Sequence, residues 1–100
     1  MAEDGFENES DFAKLLQTSG KNVLIYAYEG QIPSRAKDLA RMFSHTTIAY
    51  MVDISQHLEA ENYFGIIEVP TFIVYRNGEE IKRVLGMDPA GLESLVKILA

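Results

Sequence analysis

The sequence contains no cysteine and no tryptophan among its 100 residues, and only three prolines. Without a thiol the chain has no disulfide, no thiolate metal site, no iron–sulfur cluster and no thiol redox chemistry. Long apolar runs are absent as well. The longest, Val23-Leu24-Ile25-Tyr26-Ala27-Tyr28, falls far short of the roughly 20 residues of a membrane span, so no membrane partner is expected. Met1-Ala2-Glu3-Asp4 is acidic and carries no apolar core, which is not the pattern of a signal peptide. A cytoplasmic location is the expectation. Basic charge is scarce: 9 Lys and Arg stand against 15 Asp and Glu, a net charge of −6. Five of the acids (Glu3, Asp4, Glu7, Glu9 and Asp11) fall in the first eleven residues, where no base occurs. The body of the chain is thus nearly neutral behind an acidic N-terminal arm. Nucleic-acid binders show a basic stripe. Arg35, Lys37 and Arg41 make only a solvated helix face, and no nucleic-acid partner is expected.

What is present reads as one small globular domain, 47% apolar and 24% charged. Residues 1–5 are expected to be a flexible acidic segment and residues 6–100 a single domain. A short edge strand at Gly5-Phe6-Glu7 precedes a helix over about Glu9–Thr18. That helix is capped by Asn8, has Phe12, Leu15 and Leu16 on one face, and is closed by Gly20. Val23–Tyr28 is apolar throughout, the signature of a central strand covered on both faces. Glu29–Pro33 turns the chain into a second helix that begins near Pro33 and ends near Ser44. Its buried stripe is Ala36, Leu39, Ala40 and Phe43. Thr46–Ile54 is a strand, Gln56–Phe64 a helix stopped by Gly65, and Thr71–Arg76 a further strand. Asn77-Gly78 signals a two-residue hairpin returning along Glu79–Leu85. A last helix runs over Asp88–Leu99 with Leu92, Leu95, Val96 and Leu99 inward. The order predicts an α/β protein with a mixed central sheet of four to five strands, flanked by about four helices.

This order, with its local motifs, resembles the thioredoxin-like superfamily over about residues 6–99. Val23–Tyr28 is similar to the strand before the thioredoxin active site. Val52-Asp53 and then Tyr63-Phe64-Gly65-Ile66-Ile67-Glu68-Val69-Pro70-Thr71-Phe72 resemble the third strand, helix and cis-proline turn. Asn77-Gly78-Glu79 resembles the family hairpin, and Gly86 the glycine before the last helix. The resemblance implies the thioredoxin fold and a cis Val69–Pro70 bond. It also shows where the chain departs. Ile32-Pro33-Ser34-Arg35 stands where thioredoxins carry Cys-x-x-Cys. The family's buried acid falls on Tyr26, and its partner lysine on Met51. Disulfide exchange needs a thiolate, so the resemblance is to a redox-inactive member that is not an enzyme. Tyr28-Glu29-Gly30-Gln31-Ile32-Pro33 and Pro70–Glu79 are similar to phosducin-like thioredoxin domains. Many of those keep a cysteine where Arg35 stands. The phosducin-like resemblance implies a co-chaperone or regulator whose partners are of the chaperonin or G-protein βγ type. Monothiol glutaredoxins are a comparable relative.

In thioredoxins a shallow groove between the active-site loop, the cis-proline turn and the loop before the last helix holds extended peptides by strand addition. The matching positions are Tyr28, Gln31, Ile32, Pro33, Val69, Pro70 and Met87. Ile32, Pro33, Val69 and Met87 are expected to form an exposed apolar patch. The expected function is a non-catalytic adaptor or co-chaperone that binds a protein through this former active-site groove. The alternative is a structural or dimerisation module using the same patch on itself, as a monomer or weak homodimer. Other chemistry finds little footing. Ser34 has no His near it and no triad pattern. His45 and His57 are the only histidines and sit near element ends, so no metal is expected. No phosphate-binding glycine loop occurs, and no cofactor is expected. The partial positive charge at the second helix's N-terminus, with Arg35 beside it, would favour an acidic peptide if Arg35 does not simply face solvent.

Overall fold

In the computed structural model, which describes residues 13, 14, 16, 17, 20–32 and 34–100, the apolar run forms strand β1 (Asn22–Tyr28). It lies inside a four-stranded sheet of order β2-β1-β3-β4, with β2 at Thr47–Asp53, β3 at Thr71–Arg76 and β4 at Glu79–Leu85. β1 pairs parallel with β2 and antiparallel with β3, and β3 pairs antiparallel with β4, so the sheet is mixed. Among the described residues three helices follow β1: α1 (Ser34–Met42), α2 (Leu58–Phe64) and α3 (Pro89–Leu99).

Successive residues of a strand point to opposite faces, which divides β1 between two cores. Val23, Ile25 and Ala27 face one side, packed with Ala60 and Phe64 of α2 and with Leu16. Leu24 and Tyr26 face the other, packed with Ala36 and Leu39 of α1 and Leu92, Leu95 and Leu99 of α3. The uninterrupted apolar character of β1 follows from this double cover. Ala13, Lys14 and Leu16 are helical. The Asn8 cap, Phe12, Leu15 and the strand predicted at Gly5-Phe6-Glu7 lie outside the described residues, as does the acidic arm.

Two element boundaries differ from the sequence reading by two residues, each with a local cause. The helix predicted from Gln56 starts at Leu58. Upstream the Asp53 carboxylate accepts bonds from the Ser55 backbone N–H (3.0 Å) and hydroxyl (2.6 Å), holding these residues in a turn that competes with helix. α1 ends at Met42 rather than Ser44, because residues 43–46 form the turn into β2. At the hairpin, Asn77 and Gly78 take φ values of 55° and 83°, the left-handed pair that a two-residue turn between twisted strands requires.

The two ends of β1 differ in their polar chemistry. Asn22, at its start, is 7% exposed. Its side-chain oxygen accepts from Arg76 Nε (2.8 Å) and its amide donates to Thr47 Oγ1 (3.4 Å). Arg76 Nη2 donates onward to the Ile98 carbonyl (3.2 Å), and the Thr46 hydroxyl to the Leu99 carbonyl (2.6 Å). The last carbonyls of a helix have no partner within it, so these bonds tie the end of α3 to β3 and to the turn before β2. The other end of β1 opens toward the candidate site.

Candidate functional site

The C-terminal end of β1 carries Tyr26 and Tyr28 on one face. Their rings stack at 5.8 Å between centroids with 12° between planes. Tyr26 also lies against Phe72, its register partner on β3, at 4.6 Å. The chain then runs through Glu29 and Gln31 toward α1. The turn before β3 brings up Val69 and Pro70, joined by a cis peptide bond, with the Thr71 hydroxyl donating to the Glu68 carbonyl at 2.7 Å. The loop before α3 closes the arrangement. Gly86, with a φ of 73° that side chains rarely adopt, donates its N–H to the Pro70 carbonyl at 2.7 Å. Asp88 caps α3 by accepting from the Gly91 N–H at 2.9 Å, with Pro89 in the first turn. Met87 is thereby held between the cis-proline turn and the helix start.

Together these segments enclose a groove of about 270 Å³ lined by Tyr26, Tyr28, Glu29, Gln31, Val69, Pro70 and Met87. Five of the positions singled out in the sequence for partner contact (Tyr28, Gln31, Val69, Pro70 and Met87) meet there. Ile32 is not among the lining residues. It is half-buried and packs on the core between the sheet, α1 and α3. Val69 is likewise partly buried against the opposite core. Of the expected apolar patch, Ile32 and Val69 are partly buried and Met87 is 36% exposed. Pro33 lies outside the described residues. Ser34 and Arg35 are exposed at the start of α1. Among the described residues, no group of three or more His, Asp or Glu stands where it could hold a metal ion. No helix among them is long and apolar enough to cross a membrane.

Tyr26 is the site residue that sequence reasoning passed over. It is 1% exposed, and its hydroxyl is buried with no hydrogen-bond partner among the described residues. Burial, and secondarily the neighbouring Tyr28, push its pKa above the usual tyrosine value, so the hydroxyl keeps its proton at neutral pH. Its signals in the sequence are a polar atom inside a mostly apolar strand and its match, by resemblance, to the buried acid of thioredoxins. Tyr26 also stands opposite Met51 across the β1–β2 pair. The positions that correspond by resemblance to the thioredoxin acid and lysine are therefore neighbours here, filled by a phenol and a thioether.

Comparison with known proteins places this architecture. A protein of Dictyostelium discoideum named thioredoxin-5 is 31% identical over 101 residues, which cover 93% of this chain and 94% of that one. The chain belongs to the thioredoxin family. Thioredoxin-1 of Schizosaccharomyces pombe is 39% identical over 46 residues, or 46% of this chain and 45% of that protein. With that relative and with the thioredoxin of Malassezia sympodialis, the chain spans about half of the relative's length (45% in each). Among solved structures, the thioredoxin of Fasciola hepatica superposes with a TM-score of 0.78 at 20% identity, covering 95% of this chain and 97% of that one. That likeness shows the thioredoxin fold. No family model matches the chain. Thiol–disulfide exchange proceeds by attack of a thiolate on a disulfide sulfur, and this thioredoxin-family chain has no cysteine to supply one.

Proposed function

We propose that this thioredoxin-family chain is a non-catalytic, cytoplasmic binding module. It holds an extended segment of a protein partner in the groove at the former active site. The observation that carries the reading is the groove itself. It keeps a concave shape of about 270 Å³ beside the cis Val69–Pro70 bond, although the thiols are gone. Among the described residues no hydrogen bond is made to or from the Val69 backbone, which leaves that N–H and carbonyl available to an added strand. Tyr28, Pro70 and Met87 offer apolar contact, and Gln31 and Glu29 polar contact. The similarity of Tyr28–Pro33 to phosducin-like domains extends the proposal to a co-chaperone role. Chaperonin and G-protein βγ are the partners to try first.

Met87→Asp tests this reading, because it places a charge on a groove wall whose side chain is already exposed. Immobilised wild-type chain should retain chaperonin or G-protein βγ in a pull-down with the purified partner, and Met87→Asp should lose it while unfolding at the same urea concentration. Equal retention by both would remove the groove from the function. Insulin reduction by dithiothreitol should run no faster with the chain than without it.

A further inference from the structure

Two of the residues that line the groove carry polar groups of opposite character. One is the Tyr26 hydroxyl, buried, protonated at neutral pH and without a partner among the described residues. The other is Glu29, the single charged residue of the lining, in a chain of net charge −6. An ionised phenol would accept hydrogen bonds, but a protonated one offers a donor. A phenolic O–H and a carboxylate ask for different things from an occupant: one needs an acceptor and the other a donor. Gln31 lines the same groove, yet no described residue pairs with the Tyr26 hydroxyl.

We propose that the groove selects, among extended peptides, those that present an asparagine or glutamine side chain to Tyr26. The carboxamide oxygen accepts from the Tyr26 hydroxyl, and its NH2 group donates to Glu29. This proposal rests on the peptide-groove reading above and sharpens it to a side-chain class. A carboxylate side chain would also accept from Tyr26, but it meets the like charge of Glu29. A lysine or arginine would suit Glu29 but leave the hydroxyl unpaired. The uncharged carboxamide answers both groups at once, with its acceptor and its donors on two separate atoms. The Met87 thioether, unbranched and with three rotatable bonds, is the adaptable part of the wall through which the side chain enters.

The test is a selection from a library of randomised octapeptides displayed on phage, run against the whole chain, Met87→Asp and Tyr26→Phe. Wild type should enrich peptides with Asn or Gln at one fixed position. Tyr26→Phe should still enrich peptides but lose that preference. A synthetic peptide from the wild-type pool should bind Tyr26→Phe about tenfold more weakly, and its Asn→Ala or Gln→Ala analogue should bind both chains alike, as expected for a hydrogen bond to a buried donor. Enrichment by wild type without an Asn or Gln preference, or with one that Tyr26→Phe shares, would overturn the proposal and leave the groove reading standing. Enrichment of Asp or Glu would overturn it as well. No enrichment over Met87→Asp would overturn both. Urea unfolding of the free chain gives an independent arm. Tyr26→Phe removes an unpaired hydroxyl, so its midpoint should equal or exceed that of wild type. A lower midpoint would mean that the hydroxyl has an internal partner, and the proposal would fall.

Discussion

β1 buries a polar side chain near each end, and the two are treated differently. At its start, Asn22 accepts from Arg76 and donates to Thr47, inside a network that also binds the carbonyls of Ile98 and Leu99. A hollow of about 260 Å³ lies there, lined by Gly20, Lys21, Asn22, Thr46, Arg76 and Asn77, and its buried amide is already paired. Near the other end, Tyr26 has a ring packed on Phe72 and Tyr28 and a hydroxyl with no partner among the described residues. A buried polar group contributes to stability when its bonds are made, and costs about 1–3 kcal/mol when they are not. Burial alone therefore does not sort structural from functional polar groups. Saturation does: the saturated end holds the fold together, and the unsaturated end retains a bonding capacity for an occupant.

The largest expected effect tests whether the Tyr26 ring, as distinct from its hydroxyl, is structural. Tyr26→Ala removes a fully buried ring and should destabilise the chain by roughly 3–5 kcal/mol in urea unfolding. A much smaller loss would mean that the ring is not a core member. Next comes the opposite end. Asn22→Ala strips Arg76 and Thr47 of a partner and should cost about 2 kcal/mol in the same measurement. If it proves as mild as Tyr26→Phe, the contrast between the two ends collapses.

A second tyrosine sharpens the comparison at high pH. Tyr75, buried on the other face of the sheet, has its pKa raised to about 12 by burial and then by Glu80. Its folded value exceeds the usual 10.0, so the unfolded chain ionises first. Stability is intact below pH 10 and drains away as pH rises through the interval up to about 12. Tyr75→Phe should shift the alkaline unfolding transition upward, and circular dichroism against pH reads it. An unmoved transition would assign that unfolding to other groups. The smallest effect concerns Glu80, whose carboxylate accepts two bonds from Arg83 (3.0 and 2.9 Å) and is held below its usual value of 4.5 by that hydrogen bonding. This stabilisation is present above the usual carboxylate value and is lost as pH falls through the depressed one. The pair is partly exposed and screened by solvent. Glu80→Gln should make stability slightly less sensitive to pH below 4.5, with little change at neutrality.

Much of the fold was legible in the sequence because it is written in local patterns. The unbroken apolar run of β1, the Asn77-Gly78 turn and the spacing of Leu92, Leu95 and Leu99 in the last helix each specify their element with few competitors. The turn at Asp53 and Ser55 was missed because a side-chain bond to the backbone displaced the first residues of the predicted helix. The site was legible only as far as chain position goes. Tyr28, Gln31, Val69, Pro70 and Met87 converge because the cis-proline turn and the Gly86 loop carry them there. Ile32 is partly buried on the core that the sheet shares with α1 and α3, a matter of tertiary packing. Tyr26 stayed hidden for a related reason. Strand alternation tells which face a side chain takes, but not whether its terminal atom finds a partner.

The bond from the Gly86 N–H to the Pro70 carbonyl, 2.7 Å long, has a bearing on how the groove is filled. It clasps the loop that carries Met87 to the turn that carries Val69, so two sides of the groove form one piece. Such a slot does not close like jaws. Variety among occupants is accommodated by side-chain rotamers, Met87 foremost, and by the Glu29–Gln31 segment. Occupants that share one backbone path should bind with similar association rates and differ mainly in how long they stay.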